Sequence, residues 1–299
     1  MDIVDRIWNS IDGMAVGNAL SDNNLVKYHD GFPDIIGDGW TDNTEMVLAV
    51  AEGIIKDKDN PVPHIGKNFL RLRTKNLNVS NTVIMALNAY NIVKNWHLTA
   101  KKVHKWSDGQ TTDNGALIRT LPLAFVYPDV SVLYRRCMEI AQMTHWDLLA
   151  GLTCFVYCDT IQEICHWIPF KQAYLKALDA LRNIFPPGTE EDTISWLISK
   201  LKDAITLPKD SLHPSDHTVD TLACAIWAVG NSTSFEDAIL KALKLGGDGG
   251  IVAVTGGLAG VLYCVPGNIP PRWRDAFFEN ERIKRLDSIA MKLIDLAKV

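Results

Sequence analysis

Apolar residues recur along most of this chain at intervals of three and four. Ile3, Ile7, Ile11, Met14 and Ala15 make one stripe, and Met46, Val47, Val50, Ala51 and Ile54 make a second. That spacing puts the apolar side chains on one face of a 3.6-residue helix. The same pattern predicts helices over residues 82–94, 116–125, 130–143, 148–158 and 170–183. It continues over 191–201, 219–229, 235–243, 251–264 and 283–297. Ser80 stands just ahead of one of these segments, and Ser234-Phe235-Glu236-Asp237 puts a capping residue before two acids in a first turn. No segment sustains period-2 alternation between hairpin turns, so no strand is expected. Asn60-Pro61-Val62-Pro63, Pro186-Pro187-Gly188 and Pro266-Gly267-Asn268-Ile269-Pro270-Pro271 read as loops. None is long or polar enough to be an interdomain linker, and no repeat recurs at a fixed period. The expectation is a single compact all-α domain over residues 1–299.

Composition narrows the function classes. Hydrophobic content of 47% and charged content of 22% suit a globular chain with a sizeable core. The net charge of −5, with Lys and Arg scattered along the sequence, gives no basic footprint for nucleic acid. Met1–Arg6 has neither the basic start nor the apolar core of a secretory signal. The apolar run from Ile251 to Val265 is short for a bilayer and rich in glycine, so it reads as a buried helix rather than a membrane span. Six cysteines sit mostly among apolar neighbours. Cys154 and Cys158 are one helical turn apart, a spacing that favours reduced core thiols over a zinc site. A cytoplasmic setting is expected.

Four polar clusters interrupt this scaffold. Gly13-Met14-Ala15-Val16-Gly17-Asn18-Ala19-Leu20-Ser21 ends the first helix, and Gly39-Trp40-Thr41-Asp42-Asn43-Thr44-Glu45-Met46 opens the next long one. Asp113-Asn114-Gly115-Ala116-Leu117-Ile118-Arg119 is the third. Gly246-Gly247-Asp248-Gly249-Gly250-Ile251 is the fourth, followed by Gly256, Gly257 and Gly260. Each joins small or polar residues to an apolar helix, and helix N-termini bind anions, phosphates included. Simpler roles are available to every cluster. Thr41-Asp42-Asn43-Thr44 suits an N-cap, Asn114-Gly115 a turn, His145 a satisfied helix-junction histidine, and the three later glycines close helix packing.

Taken together and in order, the clusters resemble the ADP-ribosylglycohydrolase family. The family pattern Gly-Asp-Ala-Leu-Gly stands here as Gly17-Asn18-Ala19-Leu20-Ser21, and Thr-Asp-Asp-Thr as Thr41-Asp42-Asn43-Thr44. Gly-Asn-Gly-Ala-x-Met-Arg stands as Asp113-Asn114-Gly115-Ala116-Leu117-Ile118-Arg119, with Pro122 nearby. The Thr-His pair is Thr144-His145, and Gly-Gly-Asp-x-Asp-Thr is Gly246-Gly247-Asp248-Gly249-Gly250-Ile251. Val219-Asp220-Thr221-Leu222 with Trp227, and Ile269-Pro270-Pro271-Arg272-Trp273, add to the match, which spans almost the whole chain.

The resemblance implies an all-α fold with a central cleft holding two Mg²⁺ or Mn²⁺ ions beside ADP-ribose. Such hard cations want several oxygen ligands, and a metal pair would position water and polarise the scissile bond. Carried over by position, Thr41, Asp42 and Asp248 match metal ligands, and Asp42 and Asp248 would be the catalytic acids. Asn43, Gly250 and Ile251 stand where two aspartates and a threonine are usual. Asn18 replaces a further aspartate, and the usual glutamate position falls near Leu25. The expected ligand-binding residues are Asn114, Gly115, Arg119, His145, Gly249 and Gly250, with Gly109 allowing close backbone approach. Asp22, Glu45, Asp113 and Asp147 are spare acids from which a general base could be drawn. This inventory is expected to bind ADP-ribose or an ADP-ribosylated protein without the dinuclear site. The alternatives are a divergent hydrolase using one metal or none, and recruitment of the fold for a structural role. Restoring Asn43→Asp, Gly250→Asp and Ile251→Thr together is expected to recover metal affinity.

Overall fold

The computed structural model describes residues 3–22, 25–29, 32–35, 41–73, 78–184, 190–265, 267–277 and 281–297. Helices dominate them. In chain order they are α1 (Ile3–Ser21), α2 (Asp42–Lys56), α3 (Val62–Leu72), α4 (Asn81–Val93), α5 (Trp96–Trp106), α6 (Gly115–Arg119), α7 (Leu123–Val126) and α8 (Val130–Ala141). There follow α9 (Leu148–Cys165), α10 (Phe170–Ile184), α11 (Glu191–Leu201), α12 (Thr218–Gly230), α13 (Phe235–Leu245), α14 (Gly250–Leu262), α15 (Pro271–Arg274) and α16 (Glu281–Ala297). The expected all-α class stands.

Several elements differ from the sequence-based expectation, among them the helix expected over 116–125, which is broken at Thr120-Leu121-Pro122 into α6 and α7. An antiparallel hairpin, β1 (Val26–His29) and β2 (Phe32–Ile35), pairs Val26 with Ile35 and His29 with Phe32. It is four residues per strand, too short for alternation to register. Helix α3 begins inside the predicted 60–63 loop, because Pro63 lies in the first turn, where a missing N–H costs nothing. Helix α5 buries Trp96, Thr99, Ala100 and Val103, a face too mixed to read as an apolar stripe. The loop predicted at 186–188 lies outside the described residues, as do Gly39, Trp40 and Pro266.

The core is organised around α1 and α14, which run antiparallel with their backbones in direct contact. A Cβ on Gly256 would stand 2.0 Å from Gly13 O, one on Gly17 would stand 2.4 Å from Val252 O, and one on Gly260 2.1 Å from Asn9 O. Close approach is then locked by side chains reaching carbonyls across the seam. Ser10 Oγ donates to Gly257 O at 2.8 Å, and Arg6 Nη1 donates to Val261 O at 2.9 Å. Gly256, Gly257 and Gly260 thus pack helices, the simpler of the roles open to them. Helix α9 is long and apolar enough to cross a membrane by length and composition, but it is buried inside the fold. All six cysteines are buried and unpaired by disulfide.

The C-terminal helices clamp this spine. Arg285 on α16 donates to Glu45 at 2.8 Å and Glu52 at 2.7 Å on α2, and Trp273 Nε1 on α15 donates to Pro33 O at 2.6 Å. Glu45 is therefore tied to the clamp. Arg274 donates to Asp12 Oδ2 on α1 at 3.2 Å, while Asp12 Oδ1 is buried without a hydrogen-bond partner. Burial, opposed by Arg274 and reinforced by Asp287, pushes the Asp12 carboxyl up to about 6.

Two predictions follow from this packing. Gly256→Ala, which forces α14 away from Gly13, should destabilise the fold toward the upper end of the about 1–3 kcal/mol typical of overpacking. A melting temperature equal to that of the parent would show that the helices separate freely. For Asp12 the folded-state pKa lies above the unfolded value of 3.8. Its ionisation therefore withdraws stability as pH rises from about 4 to about 6. Asp12→Asn should accordingly gain about 1–3 kcal/mol relative to the parent at pH 7.5 and little at pH 4. A variant-to-parent difference that does not change with pH would remove Asp12 from the explanation.

Candidate functional site

The α1–α14 seam delivers the start of α14 to the mouth of a cleft of about 1000 Å³. Chain reversal ahead of that start needs two left-handed residues, supplied by Gly246 (φ +73°) and Gly247 (φ +77°). A Cβ at Gly247 would also stand 1.9 Å from Pro214 O. At the end of α1, Ser21 abuts Gly249, where a Cβ would lie 2.7 Å from Ser21 Oγ. Ser21, Asp248, Gly249 and Gly250 form one wall of the cleft.

The starts of other helices supply the remaining walls. Asn43 comes from the first turn of α2, Ser80 and Thr82 from the start of α4, and His217 is the N-cap of α12. Asp113, Asn114 and Gly115 enter from the start of α6, and Asp108 and Gln110 from the turn after α5, on either side of Gly109. Thr218 N donates to Thr112 O at 2.8 Å, which fixes the 112–114 segment against α12. Starts of α2, α4, α12 and α14 therefore converge on one space, and each brings the positive end of a helix dipole. Against that, four aspartates among the described residues line the cleft, Asp108, Asp113, Asp216 and Asp248, and no described Lys or Arg does.

Asp248 is held by two N–H groups on one oxygen. Its Oδ1 accepts from Asn114 Nδ2 at 2.6 Å and from Gly250 N at 2.8 Å. Asn114 Nδ2 also donates to Thr221 Oγ1 at 2.9 Å. The Asn114 amide occupies the space a side chain at position 250 would enter. A Cβ there would stand 2.4 Å from Asn114 Nδ2 and 2.7 Å from its Cγ. Ile251 is fully buried in the core.

Behind Asp113 runs a buried relay. Asp113 Oδ1 pairs with His145 Nε2 at 2.8 Å, His145 Nδ1 with Thr144 Oγ1 at 2.7 Å, and Arg119 Nη2 donates to Thr144 Oγ1 at 2.7 Å. Burial acts to raise the Asp113 carboxyl, but the charge and hydrogen bond of His145, with hydrogen bonds from Thr82 and Ser80, hold it well below the ordinary carboxylate range. Arg119 is fully buried, and desolvation brings it down to about 10. Its other partners are the carbonyls of Gly115, Ile140 and Ala141.

The expected site residues thus separate by location. Asn114, Gly115, Asp248, Gly249 and Gly250 line the cleft, although 134 positions separate Asn114 from Asp248. His145 and Arg119 stand behind it and act through Asp113 and Gly115. Thr41 caps α2 by accepting from Thr44 N at 3.1 Å, and Asp42 Oδ2 accepts from Asn78 N at 2.6 Å. In this second motif Asn43 is the residue that faces the cleft. Asn18 is buried between α1 and α2, 3.5 Å from Thr44 Oγ1. Asp147 caps α9 through Leu149 N, and Asp22 follows the end of α1. Among the described residues, no group of three or more His, Cys, Asp and Glu side chains is placed to hold a metal ion. Sequence reading missed Thr112, Asp216 and His217 as lining residues. They belong to no motif, and only the pairing of Thr112 with Thr218 brings them in.

The contact between positions 114 and 250 can be tested by a double-mutant cycle. Gly250→Ala should cost about 1–3 kcal/mol by displacing the Asn114 amide and leaving polar groups unpaired. The same change in an Asn114→Ala background should cost less by at least about 0.5 kcal/mol. Strict additivity would show that the two positions do not meet.

Comparison with known proteins shows the family of the chain. The family model for ADP-ribosylglycohydrolase matches residues 1–299. An ADP-ribosylarginine hydrolase Tri1 from Serratia proteamaculans (strain 568) is 26% identical over 305 residues, covering 95% of this chain and 78% of that protein. The Tri1 of Pseudomonas putida (strain GB-1) is 26% identical over 316 residues, covering 98% and 79%. A solved structure described as an ADP-ribosylglycohydrolase-related protein complex superposes with a TM-score of 0.75 at 24% identity, over 99% of each chain, and shows the shared fold. The chain belongs to the ADP-ribosylglycohydrolase family.

Proposed function

We propose that the cleft binds ADP-ribose, free or carried on a protein side chain, without the family's two-metal hydrolysis. The observation that carries this reading is the Asn114 amide standing in the place of a side chain at position 250 and donating to Asp248. A Mg²⁺ or Mn²⁺ pair needs several anionic oxygens around both ions. Here one of the two Asp248 oxygens is already bonded to two N–H groups, one Asp42 oxygen accepts from Asn78 N, and Gly250 offers no side-chain oxygen. The donor set does not fit the pair.

Binding has other support. Four helix starts facing one cleft favour a diphosphate, while the hydroxyls and amides of Ser80, Thr82, Gln110 and Asn43 suit a ribose. The lining aspartates oppose the diphosphate charge and keep the affinity modest. A metal-free hydrolytic route needs a base of adequate strength. Asp113, the carboxylate backed by His145, is held too far below the ordinary range to serve well. A divergent hydrolase with one metal or none is the second reading, supported by the similarity to the two Tri1 hydrolases. Buried reduced thiols fit a cytoplasmic setting for either reading.

Calorimetry with ADP-ribose in chelator, paired with an assay for ADP-ribose release from ADP-ribosylated arginine peptides, decides between them. The expected result is a dissociation constant on the order of 10–100 μM, unchanged by added Mg²⁺ or Mn²⁺, with no release. Metal-dependent turnover would establish the second reading instead, and no binding under any condition would overturn both.

A further inference from the structure

Charge is segregated along this chain in a way that its overall balance hides. From residue 60 to residue 107 there are eight Lys and Arg and no Asp or Glu, a net charge of +8. The whole chain carries −5, so the rest carries −13. The basic segment contains α4 and α5, which pack on each other as a helical hairpin. Helix α5 turns Leu98, Lys101, Lys102, Lys105 and Trp106 outward at helical spacing, with Leu98 55% and Trp106 59% exposed. Helix α4 turns Ile84, Met85, Asn88, Asn91 and Ile92 outward, a face with no charged residue on which Ile92 is 86% exposed. Scattered exposed apolar residues need no explanation, but an uncharged helix face beside a lysine stripe is a patterned surface.

This surface is continuous with the cleft. Ser80, Asn81, Thr82 and Met85 at the start of α4 line the cleft, as does Ser107 at the end of α5. The α4–α5 face therefore borders the cleft in which the ligand would sit. The cleft is acid-lined, whereas the helix that ends beside it, α5, exposes Lys101, Lys102 and Lys105, so the two regions suit different parts of one ligand.

We propose that the outer face of α4–α5 docks the polypeptide segment carrying the ADP-ribose, and that this segment is acidic with interspersed apolar side chains. The lysines of α5 meet its carboxylates, and Ile84, Met85, Ile92, Leu98 and Trp106 meet its apolar residues. Aliphatic exposure on both helices, at Ile84, Met85, Ile92 and Leu98, favours a protein over nucleic acid, which offers phosphates, sugars and base faces but no aliphatic side chains. The proposal rests on the reading of the cleft as an ADP-ribose site, yet the two can fail separately.

The test uses fluorescent peptides bearing one ADP-ribosylated arginine, flanked by Glu and Leu in one and by Lys and Ser in the other. Both are also prepared unmodified. Anisotropy is measured against the full chain and against K101E/K102E/K105E, whose folding is checked by circular dichroism. The Glu/Leu peptide should bind at least about tenfold more tightly than the Lys/Ser peptide. That preference should shrink between about 50 and about 500 mM salt, vanish in the triple variant, and persist in weaker form for the unmodified pair. Free ADP-ribose should bind parent and variant alike. Equal binding of the two modified peptides, with free ADP-ribose still bound, overturns the docking surface and leaves the cleft reading intact. Preference between unmodified peptides with no ADP-ribose binding upholds the surface and overturns the cleft reading. A single-stranded oligonucleotide that outcompetes the Glu/Leu peptide overturns the protein occupant.

Discussion

Gly13 against Gly256 is the contact on which the rest of the molecule depends. Two helices can touch backbone to backbone only where at least one of them lacks a Cβ at the contact. Here Gly13, Gly17, Gly256 and Gly260 provide that along the α1–α14 seam. The seam sets where both helices end. It brings Ser21 beside Gly249 and presents Asp248 and Gly250 to the cleft, while α16 and α15 clamp α2 and α1 from outside. An added methyl group in the seam would move the cleft wall as well as loosen the core.

That placement decides what the cleft can do. With Gly250 fixed at the wall, the amide of Asn114 fits into the space above it and bonds to Asp248 and Thr221. On the proposed reading, an N–H donor has taken over the task of balancing Asp248, a task that falls to a cation where position 250 bears a carboxylate. The arrangement also bears on restoration of the missing ligands. Asn43→Asp would enter an open cleft wall, whereas Gly250→Asp must first displace Asn114, and Ile251→Thr places a hydroxyl in the apolar core. Two of the three replacements meet an obstacle, a side chain at one position and an apolar core at the other.

Much of this fold is legible in the sequence, and the exceptions share physical causes. Helices such as α1, α2 and α12 announce themselves because one face buries an apolar stripe. The buried face of α5 mixes Trp96 and Val103 with Thr99 and Ala100, and prolines obscure the start of α3. Missing those two helices also hid the basic character of their surface, since lysines look scattered until the helix that aligns them is recognised. At the site, Asn114, Asp248, Gly249 and Gly250 are legible as motif members. Their motif does not reveal that the Asn114 side chain fills the position-250 space, a contact made only when α6 and α14 pack. Thr41 and Asp42 are legible both as motif members and as capping residues, and in the structure Thr41 caps α2 while Asp42 accepts from Asn78 N.

The central claim is that Asp248 is balanced by Asn114 rather than by a metal pair. Electron paramagnetic resonance of Mn²⁺ tests it most directly, because free aqueous Mn²⁺ gives a sharp signal that is lost on binding. With the full chain and saturating ADP-ribose present, the free-ion signal is expected to rise in proportion to the Mn²⁺ added. Loss of two equivalents of signal per chain at micromolar Mn²⁺, abolished by Asp248→Asn, would contradict the claim.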